Sequence, residues 1–231
     1  MCETIEPWAH GTVVRASRYP TYYDLNVVRV EEEPGLAVGE IEAVADEALA
    51  GLAHRRLDFE DIDAGERRRA GLTARGWKTS SLLWMRHEQP LPESDAGVMV
   101  EEAPYEAADE LRLVWRGEED DGSEYEQFRV ASREVSLTRG VRVLSVAEAG
   151  RPIAFAQLER IGSGAEVTQV YVHPDRRSRG IGTALTCAAV RAAAGAQDVW
   201  IVADYEDRPK ELYRRLGFRP AWRSLECLLL R

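Results

Sequence analysis

The sequence predicts an α/β (α+β) protein, and three observations carry that expectation. Strand-like and helix-like segments alternate along the chain. The β-branched and aromatic run from Val167 to Val172 stops at Pro174 and gives way, through a loop of arginine and glycine, to an alanine-rich helix over 183–194 that ends at Gly195. The chain closes on an apolar segment, Leu225-Glu226-Cys227-Leu228-Leu229-Leu230.

Taken in order, Asn26–Glu31 reads as a strand. A helix over 37–52 follows, with Ile41, Val44, Ala45 and Leu49 at helical spacing, then a short strand at 55–59, a helix through 64–70 and a strand at 80–85. The polar, proline-bearing stretch Gln89–Asp95 is the natural linker, dividing the chain into 1–95 and 96–231. Beyond it lie a first short strand at 98–101, a helix over 103–116 with Leu111, Val114 and Trp115 inward, and a second helix over 125–138. Strands at 141–146 and 153–158 meet in a hairpin at Ala149–Pro152, and a third strand, 166–172, follows the turn at 162–164. Val199–Asp204 is a buried strand, and a short helix then carries Tyr213 up to Gly217-Phe218.

Composition narrows the class. A net charge of −10 disfavours nucleic acid and anionic membranes as partners. Residues 1–95 hold 18 acidic and 11 basic side chains, the remainder 22 and 19, so Arg176, Arg177 and Arg179 form a basic island in an acidic protein. No apolar run approaches the ~20 residues of a membrane span, and the N-terminus lacks a signal-peptide pattern; a cytoplasmic location is expected. With 3 cysteines there is no disulfide framework, and Cys187 and Cys227 read as core thiols. The 4 histidines include no i, i+4 pair, so no metal is expected; His173 shapes the exit of its strand.

The chemistry concentrates in Arg177-Ser178-Arg179-Gly180-Ile181-Gly182, running into Thr183. A loop between a strand and a helix N-terminus directs backbone N–H groups and the helix dipole at one spot, which suits a phosphate, and arginines add charge-assisted hydrogen bonds. No lysine follows in the frame of a P-loop, and Leu185 stands where the dinucleotide fingerprint needs its last glycine. A plain glycine turn is the other reading. R-x-x-G-x-G resembles the pyrophosphate-binding motif of the GNAT superfamily of acyl-CoA-dependent N-acetyltransferases. Downstream, Tyr213-x-x-x-Gly217-Phe218 resembles that family's second hallmark; its alternative is a tyrosine packing one helix face.

The resemblance covers 98–231 and implies the GNAT fold: a central mixed, mostly antiparallel sheet flanked by helices, here with a smaller α/β N-terminal domain. It implies an N-acetyltransferase using acetyl-CoA as acetyl donor, with the pyrophosphate held by Arg177, Ser178, Arg179, Gly180, Ile181, Gly182 and Thr183. Val170, Tyr171 and Val172 would pair with the pantetheine and hold the developing oxyanion. Tyr213 would protonate the departing thiolate. Glu166 matches the base of some members, its alternative being an exposed carboxylate at a strand start. A primary amine of a small molecule or peptide is the implied acceptor, and a homodimer is a further possibility.

Other features stay open. Aligning Gly76-Trp77 with Gly217-Phe218 makes the N-terminal segment resemble a degenerate half GNAT domain, with Leu72 where Tyr213 would stand; an unrelated α/β extension is the alternative. The run Glu118-Glu119-Asp120-Asp121, with Glu124 and Glu126, is either a negative rim for a cationic amine or a solvated loop. Many relatives carry an asparagine before the tyrosine helix. Here the connection is Asp204–Lys210 without one, and Glu206 or Asp207 is the substitute, or the contact is absent. Two functions remain: an active acetyltransferase, or a non-catalytic acyl-CoA-binding or interaction module.

Overall fold

The computed structural model describes residues 2–92, 97–119 and 125–231, and only the backbone of Glu118 and Glu119. Its elements are β1 (Thr4–Trp8), β2 (Gly11–Arg15), β3 (Val27–Val30), α1 (Val38–Ala48), β4 (His54–Phe59), α2 (Ile62–Ala74) and β5 (Lys78–His87). The second half adds β6 (Glu101–Ala103), α3 (Asp109–Glu119), α4 (Tyr125–Thr138), β7 (Arg142–Glu148), β8 (Arg151–Ile161) and β9 (Gly164–Val172). It ends with α5 (Ile181–Ala192), β10 (Val199–Asp204), α6 (Pro209–Arg215) and β11 (Phe218–Leu230). This is a mixed, mostly antiparallel sheet architecture flanked by helices, as the sequence implied.

The chain forms two compact units. The first comprises 1–83, 204–207 and 222–231. Its strands run β1-β2-β3-β4-β11, antiparallel except for the parallel pair β3–β4. Ile41, Ala45 and Leu49 lie one helical turn apart on α1 and are fully buried with Leu57, Phe59, Leu72, Trp77 and Leu225. Asp61 caps α2, accepting the N–H groups of Asp63 and Ala64 at 3.0 and 3.2 Å. The hairpin β1–β2 has no counterpart in the sequence reading. Pro7 sits in β1, where an edge strand tolerates the missing N–H, but a proline interrupts the strand signal.

The second unit comprises 84–203 and 208–221. Its order is β10-β9-β8-β7-β6, with β6 through β9 antiparallel and β9–β10 parallel, while β5 spans the boundary at 83/84. Ala149 and Gly150 both have positive φ, 49° and 78°, the conformation a tight two-residue hairpin between β7 and β8 requires. Tyr105, Ala108, Leu111, Val143, Phe155 and Tyr171 form a core with Trp115 against it.

Three expectations need correction here. The first strand lies at 101–103, not 98–101. The helix expected from 103 begins as a 3₁₀ turn at Tyr105–Ala108 after Pro104, which disfavours helical backbone in the residue before it. Val114 is 39% exposed and Arg112, 8% exposed, takes the inward position, because Ala108, Leu111, Arg112 and Trp115 share one face.

The element order β1-β2-β3-α1-β4-α2-β5 repeats as β7-β8-β9-α5-β10-α6-β11. In the strand order β11 lies beside β4 and β5 beside β10, so the neighbour of each parallel pair comes from the other half of the sequence. A division at 95/96 assigns 222–231 to the second domain; in space it belongs to the first unit.

Candidate active site

The site is built on β9. Its parallel pairing with β10 is registered for Ala165, Val167 and the Glu166–Trp200 pair between them, ending at Val167–Ile201. β9 runs on to Val172, so its last five residues, 168–172, lie past the registered pairs. On its other side, Phe155 faces Tyr171 while Gln157 faces Thr168, which leaves one extra residue on β9. That residue step is a β-bulge, and Gln169 within it has φ 50°. A bulge re-aims the side chains beyond it, and strands that part leave backbone N–H and C=O groups without ladder partners. Val170, Tyr171 and Val172 occupy this stretch.

The chain leaves β9 through a 3₁₀ turn at Pro174–Arg176, where His173 Nδ1 accepts the Asp175 N–H at 3.3 Å, the strand-exit role expected for it. Ser178 (φ 64°) and Gly180 (φ 78°) then curl the backbone into α5. Gly180 is the N-cap residue, with no side-chain cap, and the first turn of α5 contains no acidic residue. The first N–H satisfied within the helix is that of Ala184, on the Gly180 carbonyl at 3.0 Å. The N–H groups of Ile181, Gly182 and Thr183 therefore precede the first intrahelical donor, and N–H groups so placed suit an anion. α5 begins two residues earlier than expected, at Ile181, so Gly182 belongs to the helix itself.

The three arginines differ. Arg176 is engaged by Glu148 at 2.8 Å. Arg177 donates from Nε to the Val172 carbonyl at 3.0 Å, its guanidinium 5.7 Å from the Tyr171 ring centre. Arg179 is exposed. Leu212 of α6 stands 3.5 Å from where a Cβ on Gly182 would lie, and Val172 stands 3.8 Å away, so α6, the start of α5 and the end of β9 meet at one place. Tyr213, the next residue on α6, is 5% exposed with its ring 6.1 Å from that of Phe218. Gly217 has φ 93°, and a Cβ there would lie 2.8 Å from the Gln89 carbonyl oxygen, so glycine is required.

Glu166 stands at the paired start of β9, opposite Glu159, whose carboxylate is held by Arg139 at 3.0 Å. It precedes the opening rather than lying in it. In the first unit, Glu206 is engaged by Arg69 at 3.2 Å, so one of the two residues considered as substitutes for the family asparagine is spoken for. Of the acidic run, Asp120, Asp121 and Glu124 lie outside the described residues, as do the side chains of Glu118 and Glu119. Glu126 forms a two-point pair with Arg129 at 2.7 and 3.0 Å. Cys187 is buried, and burial pushes its thiol pKa up. Among the described residues no helix is long and apolar enough to cross a membrane, and no cluster of three or more His, Cys, Asp or Glu is placed to hold a metal.

Beside the bulge, a cavity of about 140 Å³ is lined by Tyr105, Arg112, Trp115, Arg116, Tyr125, Phe128, Arg129, Ser132 and Gln169. Burial and then the Asp109 charge push the Tyr125 phenol above its ordinary pKa. Gln169, Arg112 and Tyr125 were not singled out in the sequence. A glutamine inside a Val-Thr-Gln-Val-Tyr strand and an arginine on the apolar stripe of an amphipathic helix were the available signals.

Residues 139–220 match the family described as an acetyltransferase (GNAT) domain, so the chain carries a GNAT domain over that stretch. No curated protein matches the sequence. Among solved structures, a conserved protein of unknown function from Staphylococcus epidermidis is similar with TM-score 0.74 and 16% identity, over 100% of this chain and 94% of that one. A GCN5-related N-acetyltransferase from Kribbella flavida is similar with TM-score 0.59 and 20% identity, covering 97% and 89%. A tandem GNAT protein from the clavulanic acid biosynthesis pathway is similar with TM-score 0.57 and 15% identity, covering 87% and 74%. At these identities the likeness establishes the fold alone.

Proposed function

We propose that the protein is an N-acetyltransferase that moves an acetyl group from acetyl-CoA to a primary amine by direct attack in a ternary complex, with residues 96–231 carrying the chemistry. The observation that carries this reading is the opened end of β9 running directly into the uncapped N-terminus of α5. The glycine N-cap, the absence of first-turn carboxylates and the neighbouring Arg177 and Arg179 fit a pyrophosphate at that helix end. The N–H groups along Val170, Tyr171 and Val172 suit the thioester oxygen as it gains charge.

In the transfer, the amine nitrogen bonds to the acetyl carbon, the carbon–sulfur bond breaks, and the sulfur takes a proton from the Tyr213 hydroxyl. The proton lost by the amine passes to water or, through water, to Glu166, which lies before the opening. A small-molecule or peptide amine is the acceptor, and the cytoplasm the location. The non-catalytic alternative, an acyl-CoA-binding module, requires Tyr213 to be a packing residue, and its 5% exposure beside Phe218 gives that reading its footing. Free-thiol release from acetyl-CoA across pools of primary amines separates the two. Turnover above the hydrolytic background supports the enzyme; acetyl-CoA binding without turnover by any pool supports the module.

A further inference from the structure

Around the cavity beside the β9 bulge, polar atoms are buried without hydrogen-bond partners among the described residues: Arg112 Nε and Nη2, the Tyr125 hydroxyl and Gln169 Oε1. A buried donor without a partner costs about 1–3 kcal/mol, more when charged, so such atoms call for an explanation. Arg112 is 8% exposed and is held in place from one nitrogen only, Nη1 donating to the Tyr105 carbonyl at 2.8 Å and to Asp109 at 2.9 Å. Its guanidinium lies 3.8 Å from the Tyr105 ring centre, which fixes its plane. The remaining edge, Nε with Nη2, presents the two-donor fork that fits a carboxylate.

Arg112 and Arg129 line the cavity, each paired with a carboxylate, Asp109 and Glu126 respectively. Gln169 Oε1 is an acceptor, on the residue that makes the bulge, next to the stretch assigned to the thioester.

We propose that this cavity binds the carboxylate of the acceptor, and that the acceptor is a carboxylate-bearing primary amine of amino-acid type. Arg112 takes the carboxylate and Gln169 accepts an N–H of the amine. The volume, room for on the order of ten water-sized groups, admits a small side chain against the Trp115 wall. The inference rests on the acetyltransferase reading of the same site.

The test pairs amines that differ only in the carboxylate: valine against isobutylamine, alanine against ethylamine, with spermidine as an amine that lacks one. Hydrogen bonds to a charged group contribute about 1.5–3 kcal/mol, so kcat/KM should favour each carboxylate partner by roughly 10–150-fold. Arg112→Gln should erase that preference, and Gln169→Asn should lower kcat/KM for both members of a pair while keeping the preference. Equal rates within a pair, or spermidine as the best acceptor, would overturn the proposal. A second readout stands apart from turnover: quenching of tryptophan fluorescence by N-acetylvaline, expected for the wild type and lost in Arg112→Gln. Binding of that probe with no turnover of any amine keeps the carboxylate pocket and rejects the enzyme; no binding of it overturns the pocket.

Discussion

The two halves build the same strand–loop–helix corner and finish it in opposite ways. In the first, β3 stays paired with β4 to its last residue, Val30 opposite Phe59. The loop that follows carries Glu31, Glu32 and Glu33. Hydrogen bonds from Arg68 and then Arg67 hold Glu33 down to about pKa 2, and the start of α1 is closed by its own Glu40, which accepts the Ala37 N–H at 2.7 Å. In the second, registered pairing of β9 with β10 ends at Val167, the loop carries arginines, and α5 starts on a glycine without a side-chain cap. Leu72 is fully buried in the first half where Tyr213 stands in the second. The first corner sets carboxylates against arginines of its own unit; the second starts its helix on a glycine with no first-turn carboxylate, the end to which the proposed function assigns the pyrophosphate. Fold is shared, and the chemistry resides in how each corner ends.

The comparison breaks most sharply at Tyr213. Tyr213→Phe keeps the ring against Phe218 and removes the hydroxyl, so kcat should fall by ~10²–10⁴-fold while acetyl-CoA affinity stays unchanged. A kcat within twofold of wild type would return Tyr213 to the role of Leu72. Next in size is Gly180→Asp, which gives α5 an N-cap carboxylate like the one Asp61 gives α2. A unit charge about 4 Å from a phosphate is worth up to about 4 kcal/mol near a protein surface, so acetyl-CoA should bind roughly a hundredfold more weakly, or worse. Gly180→Asn, which accepts the same positive φ without the charge, should retain most of the affinity in calorimetry; equal losses would point to backbone strain instead.

The matched glycines offer a smaller, purely structural contrast. Gly76 and Gly217 have φ of 90° and 93°, but a Cβ on Gly76 meets only Leu229 at 3.7 Å, whereas one on Gly217 lies 2.8 Å from a backbone oxygen. Gly76→Ala should cost about 1–2 kcal/mol, the left-handed penalty alone. Gly217→Ala should cost clearly more, and denaturant unfolding measures both. The smallest effect is a pH slope. Arg56 is shared among Asp24, Asp58 and Glu226, and burial raises the Glu226 carboxyl to about 7 from an ordinary 4.5. Between those values the folded state holds more protons than the unfolded, so the contribution of Glu226 is present at low pH and lost as pH rises through 4.5 to 7. Glu226→Gln should flatten that part of the curve of Tm against pH.

Much of this was legible before the structure. The Ala-rich α5, the hairpin at Ala149-Gly150 and the buried β10 announce themselves through periodicity and turn chemistry, and Arg177–Gly182 with Tyr213 named the candidate site. What stayed hidden depends on tertiary context. No sequence pattern marks Gln169 as a left-handed bulge residue, because glutamine has no preference for that backbone. Arg112 replaced Val114 on the inner face because a guanidinium stacked on Tyr105 and paired with Asp109 can be buried. The placement of β11 beside β4 is a pairing of distant segments, and an apolar strand carries no label for which half it will complete.

The central claim is that one corner binds acyl-CoA and its counterpart does not. Titration calorimetry of acetyl-CoA into the full chain tests it most directly. One equivalent per chain should bind, and binding should be lost in a chain carrying Arg177→Ala together with Gly180→Asp. Two equivalents, or one that survives both substitutions, would contradict the assignment.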